Sequence, residues 1–332
     1  MGFETQDVER KTISILKVLS DSGEPVGSRV IAQRLGGRGV ELGERAVRYH
    51  LKLMDERGLT RLVGQRDGRV LTERGIDEVN SALVKDKVGF AITRIELLSF
   101  RTNFNYEKCC GQIPVNLSFF SKEKFGKALR VMKPTFEAGL CVSDLVAVGS
   151  EGEYMGDMIV PQGKVGLATV CSVVINGALL KAGVPMDSRF GGTLQIINHK
   201  PHRFVELIHY AGCSLDPAEI FIRARMTSVL EVARRGEGTI LANFREIPAL
   251  CRPLTEGIVV KLREAGLGGL LLMGDTSGPV CETSVELNKI GMVFIGGLNP
   301  VAAAEEAGIE AESHAVSTIM EYSNLIKFQE LL

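Results

Sequence analysis

The stretch LGERAVRYHLKLMDERGLTRLVGQRDGRVLT, residues 42–72, decides the fold of the amino-terminal part of the chain. Its first half predicts a helix over about residues 42–57, because apolar residues recur at helical spacing until Gly58 ends the pattern. Its second half predicts two alternating strands joined by a turn at Asp67 and Gly68. The stretch therefore indicates a helix followed by a β-hairpin.

The flanking sequence completes a small domain. The Ser28 hydroxyl is suited to cap a short helix that ends near Leu35, and a glycine-rich segment separates it from the next helix. Further helices are predicted over residues 7–20 and 73–88. A short helix, a glycine turn, a second helix and a hairpin in this order predict a winged helix-turn-helix domain with a linker helix over residues 1–85.

The helix over residues 42–57 has the two faces that a DNA-reading helix needs. Val47, Leu51 and Met54 share one face and are expected to dock on the domain. The opposite face is cationic, and cationic side chains can contact phosphates and guanine edges in a major groove. The hairpin tip is placed to touch the DNA backbone or the minor groove. The expected DNA contacts are Arg45, Arg48, Tyr49 and Lys52 on the helix, with Arg66 and Arg69 in the hairpin.

The overall charge limits how this surface can work. Residues 1–85 hold 15 Lys+Arg and 13 Asp+Glu, and the whole chain of 332 residues has a net charge of −1. This balance excludes a protein that coats nucleic acid through general basicity, so any DNA affinity must be local. Two modules acting together would supply it, which predicts a homodimer or a higher oligomer on double-stranded operator DNA. A solvated basic face or a protein-docking winged helix is the alternative.

The remaining composition predicts a cytoplasmic protein with reduced thiols. The seven cysteines show no CxxC spacing, which argues against a disulfide framework or a thiolate zinc site. No apolar run is long enough for a membrane span, and the first residues lack a signal-peptide pattern. His199, His202 and His209 could suggest a metal site, but Lys200 and Arg203 favour a basic turn or an anion contact. We therefore expect no metal and no membrane partner.

Residues 90–330 predict an α/β regulatory and dimerisation domain with an internal duplication. Each half, about residues 111–200 and 238–312, reads as strand, helix, strand, glycine-containing loop, helix and strand. Residues 90–111 precede the first half and predict a strand and a loop. The matched segments are 111–119 with 238–244, 179–184 with 287–292, and 190–193 with 295–298.

Four motifs of this domain, together with the winged helix-turn-helix, resemble a known family. They are VGSEG at 148–152, GLATVCS at 166–172, ING at 175–177 and RFGGTL at 189–194. The arrangement resembles the NrpR family of archaeal nitrogen regulators over about residues 4–325. The resemblance implies a repressor of nitrogen-fixation and nitrogen-assimilation genes that 2-oxoglutarate releases from operator DNA. Because the chain has a single regulatory domain, the resemblance also implies a separate NrpR-domain protein as a partner.

The regulatory domain offers groups suited to 2-oxoglutarate, which is expected as an effector while no cofactor is expected. A small dicarboxylate needs two anion sites, which cations, hydroxyls and backbone N–H groups at helix starts or glycine turns provide. The hydroxyls of Thr169 and Ser172 precede the apolar run 173–180 and are suited to cap a helix there. Residues 273–278 suggest an equivalent cap in the second half. The cation of Arg189 precedes a turn at Gly191 and Gly192. Plain caps, turns and a surface salt bridge are the alternatives. The expected ligand contacts are Thr169, Cys171, Ser172, Arg189, Gly191, Gly192 and Thr193.

An enzyme fused to a winged helix is the main alternative class of protein. An adaptor that binds a partner protein, or a repressor that responds to another small anionic metabolite, are further alternatives. The sequence lacks the P-loop, Rossmann, nucleophile-elbow and HExxH motifs, which announce phosphate, dinucleotide, acyl and metalloprotease chemistry. We therefore predict that the chain is not an enzyme and has no catalytic residues.

Overall fold

The chain forms two compact units, Met1–Val88 and Gly89–Leu332. A computed structural model describes residues 2–22, 24–64, 68–81 and 89–332. No helix among these residues is long and apolar enough to cross a membrane. Arg66, an expected hairpin contact, and residues 82–88, the end of the predicted linker helix, lie outside the described residues.

The first unit is a winged helix, which confirms the predicted fold. Its elements are α1 (Gly2–Ser20), α2 (Ser28–Gly36), α3 (Glu44–Glu56), β1 (Thr60–Gly64), β2 (Gly68–Leu71) and α4 (Glu73–Ser81). β1 and β2 pair antiparallel, and a bridge from Val26 to Arg69 extends the hairpin. Gly68 has a φ of 95° and lies against the Val26 backbone, where a side chain would collide with the Val26 carbonyl.

The helices of the first unit pack around one apolar core. α3 buries Val47, Leu51 and Met54 in it, as the sequence predicts. His50 is buried on the same side, because it lies three residues after Val47. The start of α2 also differs from the prediction. Gly27 in extended conformation occupies the N-cap position, while Ser28 is the first helical residue, with its Oγ 3.3 Å from Glu44 Oε1.

The second unit is a mixed α/β domain, and it begins with a helix. Its elements are α5 (Phe90–Arg101), β3 (Gln112–Ser121), α6 (Lys122–Glu137), β4 (Leu145–Gly149), β5 (Tyr154–Met155), β6 (Met158–Ile159), β7 (Lys164–Val170), α7 (Val173–Lys181), β8 (Asp187–Ile197), β9 (Lys200–His209), α8 (Pro217–Arg223), α9 (Val229–Arg235), β10 (Gly238–Pro248), α10 (Arg252–Glu264), β11 (Leu270–Thr276), β12 (Lys289–Ile295), α11 (Asn299–Glu306), β13 (Ala311–Glu321) and β14 (Ile326–Lys327). The prediction of a strand over part of residues 90–111 was wrong, because Ala91, Ile95 and Leu98 recur at helical spacing and are buried.

This unit contains two five-stranded antiparallel sheets. Sheet I has the order β13-β3-β7-β4-β14, and sheet II has the order β11-β12-β10-β8-β9. The elements β3, α6, β4, β7, α7 and β8 repeat in the same order as β10, α10, β11, β12, α11 and β13. The last strand of each repeat, β8 or β13, joins the sheet built by the other repeat. Both repeats therefore contribute to both sheets.

The strand register shows which residues are counterparts. In sheet I Val115 pairs with Val170 at the end of β7, and in sheet II Ala242 pairs with Ile295 at the end of β12. Counting from these pairs along β3 and β10 makes Asn116 the counterpart of Asn243 and Ser118 the counterpart of Arg245.

Of the three predicted segment matches, only 111–119 with 238–244 occupies equivalent places. Residues 179–184 end α7, whereas residues 287–292 lead into β12. Gly191 and Gly192 lie within β8, whereas Gly296 and Gly297 follow β12. Similar glycine patterns at different structural positions produced the two false matches.

Candidate functional site

The outer face of α3 is the candidate DNA-binding surface. Arg45, Arg48, Tyr49 and Lys52 are all exposed on it, and 62% of Tyr49 is accessible. Arg48 Nη2 lies 3.2 Å from Glu44 Oε1, an ion pair along the helix that leaves most of the Arg48 side chain in solvent. Such a pair contributes little to stability, so the guanidinium can leave it for a phosphate at small cost.

Arg69 of the wing is engaged within its own unit. Its Nε lies 2.8 Å from Asp55 Oδ2, and Asp55 Oδ1 accepts a hydrogen bond of 2.6 Å from Thr60 Oγ1. The side chain is half-buried, in contrast to the cations of α3. Arg69 thus ties the hairpin to α3, which fixes the position of the wing beside the exposed cationic face.

The candidate ligand site is a cavity of about 30 Å³ in the second unit, between the two sheets. Its walls come from the residues that follow β7 and β12, from the middle of β8 and β10, and from β13. α5 adds Ile95 to the wall. The polar and glycine lining comprises Asn116, Cys171, Ser172, Gly191, Gly192, Tyr210, Asp216, Asn243, Arg245, Gly296 and Gly297.

Arg245 of β10 is the main charged group of this cavity, and only 2% of it is accessible. Its Nη1 donates to the Ser172 carbonyl (3.0 Å), and its Nη2 donates to Ser172 Oγ (2.6 Å) and Asn243 Oδ1 (2.8 Å). Its Nε has no hydrogen-bond partner among the described residues, and no carboxylate within them forms an ion pair with the guanidinium. Burial lowers the pKa of Arg245 to about 10, so the side chain stays charged at neutral pH.

A buried cation without a counter-ion is costly unless an anion joins it. The partners of Arg245 are neutral oxygens and the ring of Phe294, whose centroid lies 4.5 Å from Cζ. Asp216 also lines the cavity, but its Oδ1 accepts from Ala218 N at the start of α8 (2.8 Å), and burial raises the pKa of this carboxyl. The cavity is therefore suited to a small anion.

Four of the seven predicted ligand contacts line this cavity, namely Cys171, Ser172, Gly191 and Gly192. Thr169 and Thr193 are buried beside it, and Thr169 Oγ1 accepts from Asn116 Nδ2 at 3.5 Å. Burial raises the pKa of Cys171 to about 11. This thiol is therefore a small apolar wall group rather than an acidified nucleophile.

Arg189 is not brought to the cavity. Its guanidinium lies near three carboxylates, with Nη1 at 3.1 Å from Asp187 and 2.7 Å from Glu286, and Nε at 3.7 Å from the buried Glu246. Lys289 joins them at 3.4 Å from Glu246, and its pKa is raised, chiefly by a hydrogen bond with Glu286. Arg189 therefore forms a surface salt bridge, which is the alternative interpretation of this residue. The cation that lines the cavity is Arg245.

Sequence reasoning missed Arg245, Asn116, Asn243 and the pair Gly296 and Gly297. A signal for the first was present, because Arg245 interrupts the apolar strand TILANF at residues 239–244. The matched segments 111–119 and 238–244 already equated the two asparagines. The predicted second-half cap at 273–278 was misplaced, because these residues end β11 and the turn beyond it, whereas α11 starts after Gly297.

Gly297 permits the close approach that shapes the cavity, and replacing it with alanine is expected to destabilise the protein. A Cβ at this position would lie 2.5 Å from both Asn116 Nδ2 and the Val170 carbonyl. The free energy of unfolding should fall by about 1–3 kcal/mol in urea denaturation. Gly257→Ala is the matched control, since nothing lies within 4 Å of its Cβ in α10, and it should stabilise by about 0.5–1 kcal/mol. Equal effects of the two changes would contradict the close packing at Gly297.

Two family models match the chain, one for each unit. The model described as NrpR regulatory domains NRD1 and 2 matches residues 88–327, and the ribonuclease R winged-helix domain matches residues 13–79. A crystal structure of a nitrogen repressor-like protein from Methanococcus jannaschii is 26% identical and similar with a TM-score of 0.61. The similarity covers 72% of this chain and 98% of that one.

Curated relatives match nearly the whole chain. The Global nitrogen regulator NrpRI of Methanosarcina mazei is 44% identical over 96% of this chain and 98% of its own length. The Global nitrogen regulator NrpR proteins of Methanococcus maripaludis and Methanocaldococcus jannaschii are 30% and 32% identical, and the chain spans 55% and 56% of their lengths. All three are regulators, which confirms the prediction that the chain is not an enzyme. With matches over both its winged helix and its regulatory unit, the chain belongs to the NrpR family of nitrogen regulators.

Proposed function

We propose that the chain represses nitrogen-assimilation and nitrogen-fixation genes by binding operator DNA as a homodimer, and that 2-oxoglutarate releases it. The exposed cations of α3 would enter a major groove, and the cavity around Arg245 would hold the effector. A separate NrpR-domain protein is a further proposed partner, as the resemblance to the NrpR family implies. The chain spans about half the length of two of its relatives. The observation that carries the effector proposal is the buried Arg245, which among the described residues has no counter-ion and leaves one N–H group unused.

Two helix starts support a dicarboxylate in particular. α7 begins directly after Ser172 and α11 begins two residues after Gly297, and both preceding segments line the cavity. The first N–H groups of a helix lack partners within the helix and carry partial positive charge, which favours a carboxylate. One carboxylate at each helix start, with Arg245 beside one of them, accounts for both ends of 2-oxoglutarate.

The size of the cavity supports a coupling between binding and release. A volume of about 30 Å³ holds a water molecule and is smaller than a five-carbon dicarboxylate. The effector therefore has to widen the gap between the starts of α7 and α11, which follow strands of different sheets. Ile95 of α5 lines the same gap, and α5 is the first helix after residues 82–88, through which the chain continues from the winged helix. A ligand that favours the widened form by about 1–3 kcal/mol would bias the DNA-binding units by the same amount.

Isothermal titration of the full chain with 2-oxoglutarate tests the effector directly. Binding should be saturable, and operator DNA should weaken it, because coupling between two ligands is reciprocal. Succinate and 2-oxobutyrate serve as ligands of altered length and charge. A chain that binds none of these compounds, or binds them equally with and without operator DNA, would contradict the proposal.

Arg48→Ala is expected to weaken operator binding by roughly tenfold or more, because a groove-facing guanidinium contributes about 1–3 kcal/mol. The affinity for 2-oxoglutarate should not change. Arg235→Ala is the matched control, since Arg235 is also exposed on a helix and paired four residues away, with Glu231 at 2.8 Å, but lies in the regulatory unit. Fluorescence anisotropy with labelled operator DNA measures both variants. Equal loss in both would remove α3 from the interface.

A further inference from the structure

The duplication makes the two ends of the central cavity counterparts, yet only one end carries a cation. Ser118 occupies in β3 the register position that Arg245 occupies in β10. Both residues are buried, but Ser118 Oγ shares a hydrogen bond of 3.1 Å with Ser313 Oγ, while Arg245 reaches the cavity. The duplicated frame is therefore symmetric in its backbone and asymmetric in its charge.

Further differences follow the same division. The end with Arg245, Asn243 and Ser172 is called the arginine end, and the end with Gly296, Gly297 and Asn116 is called the glycine end. At the arginine end, Ser172 Oγ donates to Asn243 Oδ1 at 3.1 Å and accepts from Arg245. At the glycine end, Gly297 replaces the serine, and Asn116 Oδ1 accepts from Val316 N at 2.9 Å. The residues of the glycine end are therefore neutral, and none of them carries a full charge.

The difference in charge between the two ends determines which ligand groups each end can bind. A buried cation without a counter-ion discriminates strongly for a full negative charge, because leaving it unpaired is costly. Neutral N–H groups at a helix start attract a carboxylate more weakly, by about 0.3–2 kcal/mol, and also bind an uncharged carbonyl oxygen.

We infer that the cavity binds a dicarboxylate in a single orientation, with a required carboxylate at the arginine end and a replaceable acceptor at the glycine end. Arg245 is then the residue that determines specificity, because it distinguishes two ends that the duplication made alike. The inference rests on the proposed effector function and adds which part of the ligand must be charged.

Glutarate and its mono-amide, glutaramate, test the inference with the full wild-type chain. Glutarate is symmetric and fits either way, whereas glutaramate has one carboxylate and one neutral amide. In isothermal titration, glutaramate should bind at most about tenfold more weakly than glutarate, because its amide occupies the glycine end. Arg245→Met should lower the affinity for both compounds by about 30-fold or more. Ser118→Ala, the counterpart control, should change both affinities by less than about threefold.

The outcomes separate this inference from the proposed function. Failure of both 2-oxoglutarate and glutarate to bind the wild-type chain contradicts the proposed function itself. Binding of glutarate, with a loss for glutaramate as large as the loss caused by Arg245→Met, shows that both ends require charge and overturns the inference alone. Equal losses in Ser118→Ala and Arg245→Met overturn it as well. The glutaramate comparison uses only wild-type protein, so it does not depend on how a variant folds.

Discussion

Replacing Arg245 with methionine is expected to give a repressor that still binds its operator but no longer responds to 2-oxoglutarate. The guanidinium is the cation of the cavity, and removing one partner of a buried charge pair costs about 2–5 kcal/mol of binding free energy. The concentration of 2-oxoglutarate that releases half of the operator DNA should rise by about 30-fold or more. Fluorescence anisotropy with labelled operator, titrated with 2-oxoglutarate, measures this concentration.

Methionine suits the test because it fills similar space without a charge. In the unliganded protein it removes a buried cation that has no counter-ion within the part of the chain that the structure describes, so the melting temperature should not fall greatly. Arg203→Met is the control, since Arg203 is half-exposed and its contact with Glu282 is 3.9 Å long. An unchanged release concentration in Arg245→Met would exclude the cavity as the effector site.

The double change Arg189→Met and Lys289→Met is expected to destabilise the regulatory unit strongly without altering the affinity for 2-oxoglutarate. The Glu246 side chain is 1% accessible, and these two cations are the ones paired with it within the described residues. Without them a buried carboxylate keeps only the hydrogen bond from Glu286 N, 3.0 Å from its Oε1. Stranding a buried charge costs about 3–5 kcal/mol, which urea denaturation measures.

A third change supplies the control for this experiment. Adding Glu246→Gln to the double variant removes the stranded charge and keeps an oxygen that can accept from Glu286 N, so most of the lost stability should return. A triple variant as unstable as the double one would show that lost packing, not charge, causes the effect. A large loss of 2-oxoglutarate affinity in a folded double variant would return Arg189 to the effector site.

The winged helix was predictable because its signals are local. The amphipathic pattern of α3 and the turn residues before β2 lie within about 30 residues of one another, and each acts on its own neighbours. The errors there were also local. Gly27 rather than Ser28 caps α2, because both residues can start a helix and the sequence does not show which one takes the extended backbone.

The candidate ligand site was only half predictable, because it is assembled from segments far apart in the chain. Cys171 and Ser172 stand before an apolar helix, which is a local signal, and they do line the cavity. The choice between Arg189 and Arg245 depends on which strand face each occupies and on which carboxylates pack nearby. Glu246, next to Arg245 in sequence, points to the opposite side and neutralises Arg189. That arrangement depends on the pairing of β10 with both β8 and β12, which no spacing in the sequence reveals.

The exchange of β8 and β13 between the sheets has a consequence for how such a chain could arise. A polypeptide consisting of one repeat would form a sheet that lacks a strand. A second copy of the same polypeptide could supply the missing strand and receive the equivalent strand from the first copy. Two such copies would form an intertwined pair of identical subunits with its pocket on their twofold axis. In such a pair, a mutation to arginine would appear twice and crowd two like charges together. A single chain that holds both repeats does not have that restriction, since one repeat can carry the cation while the other carries a serine.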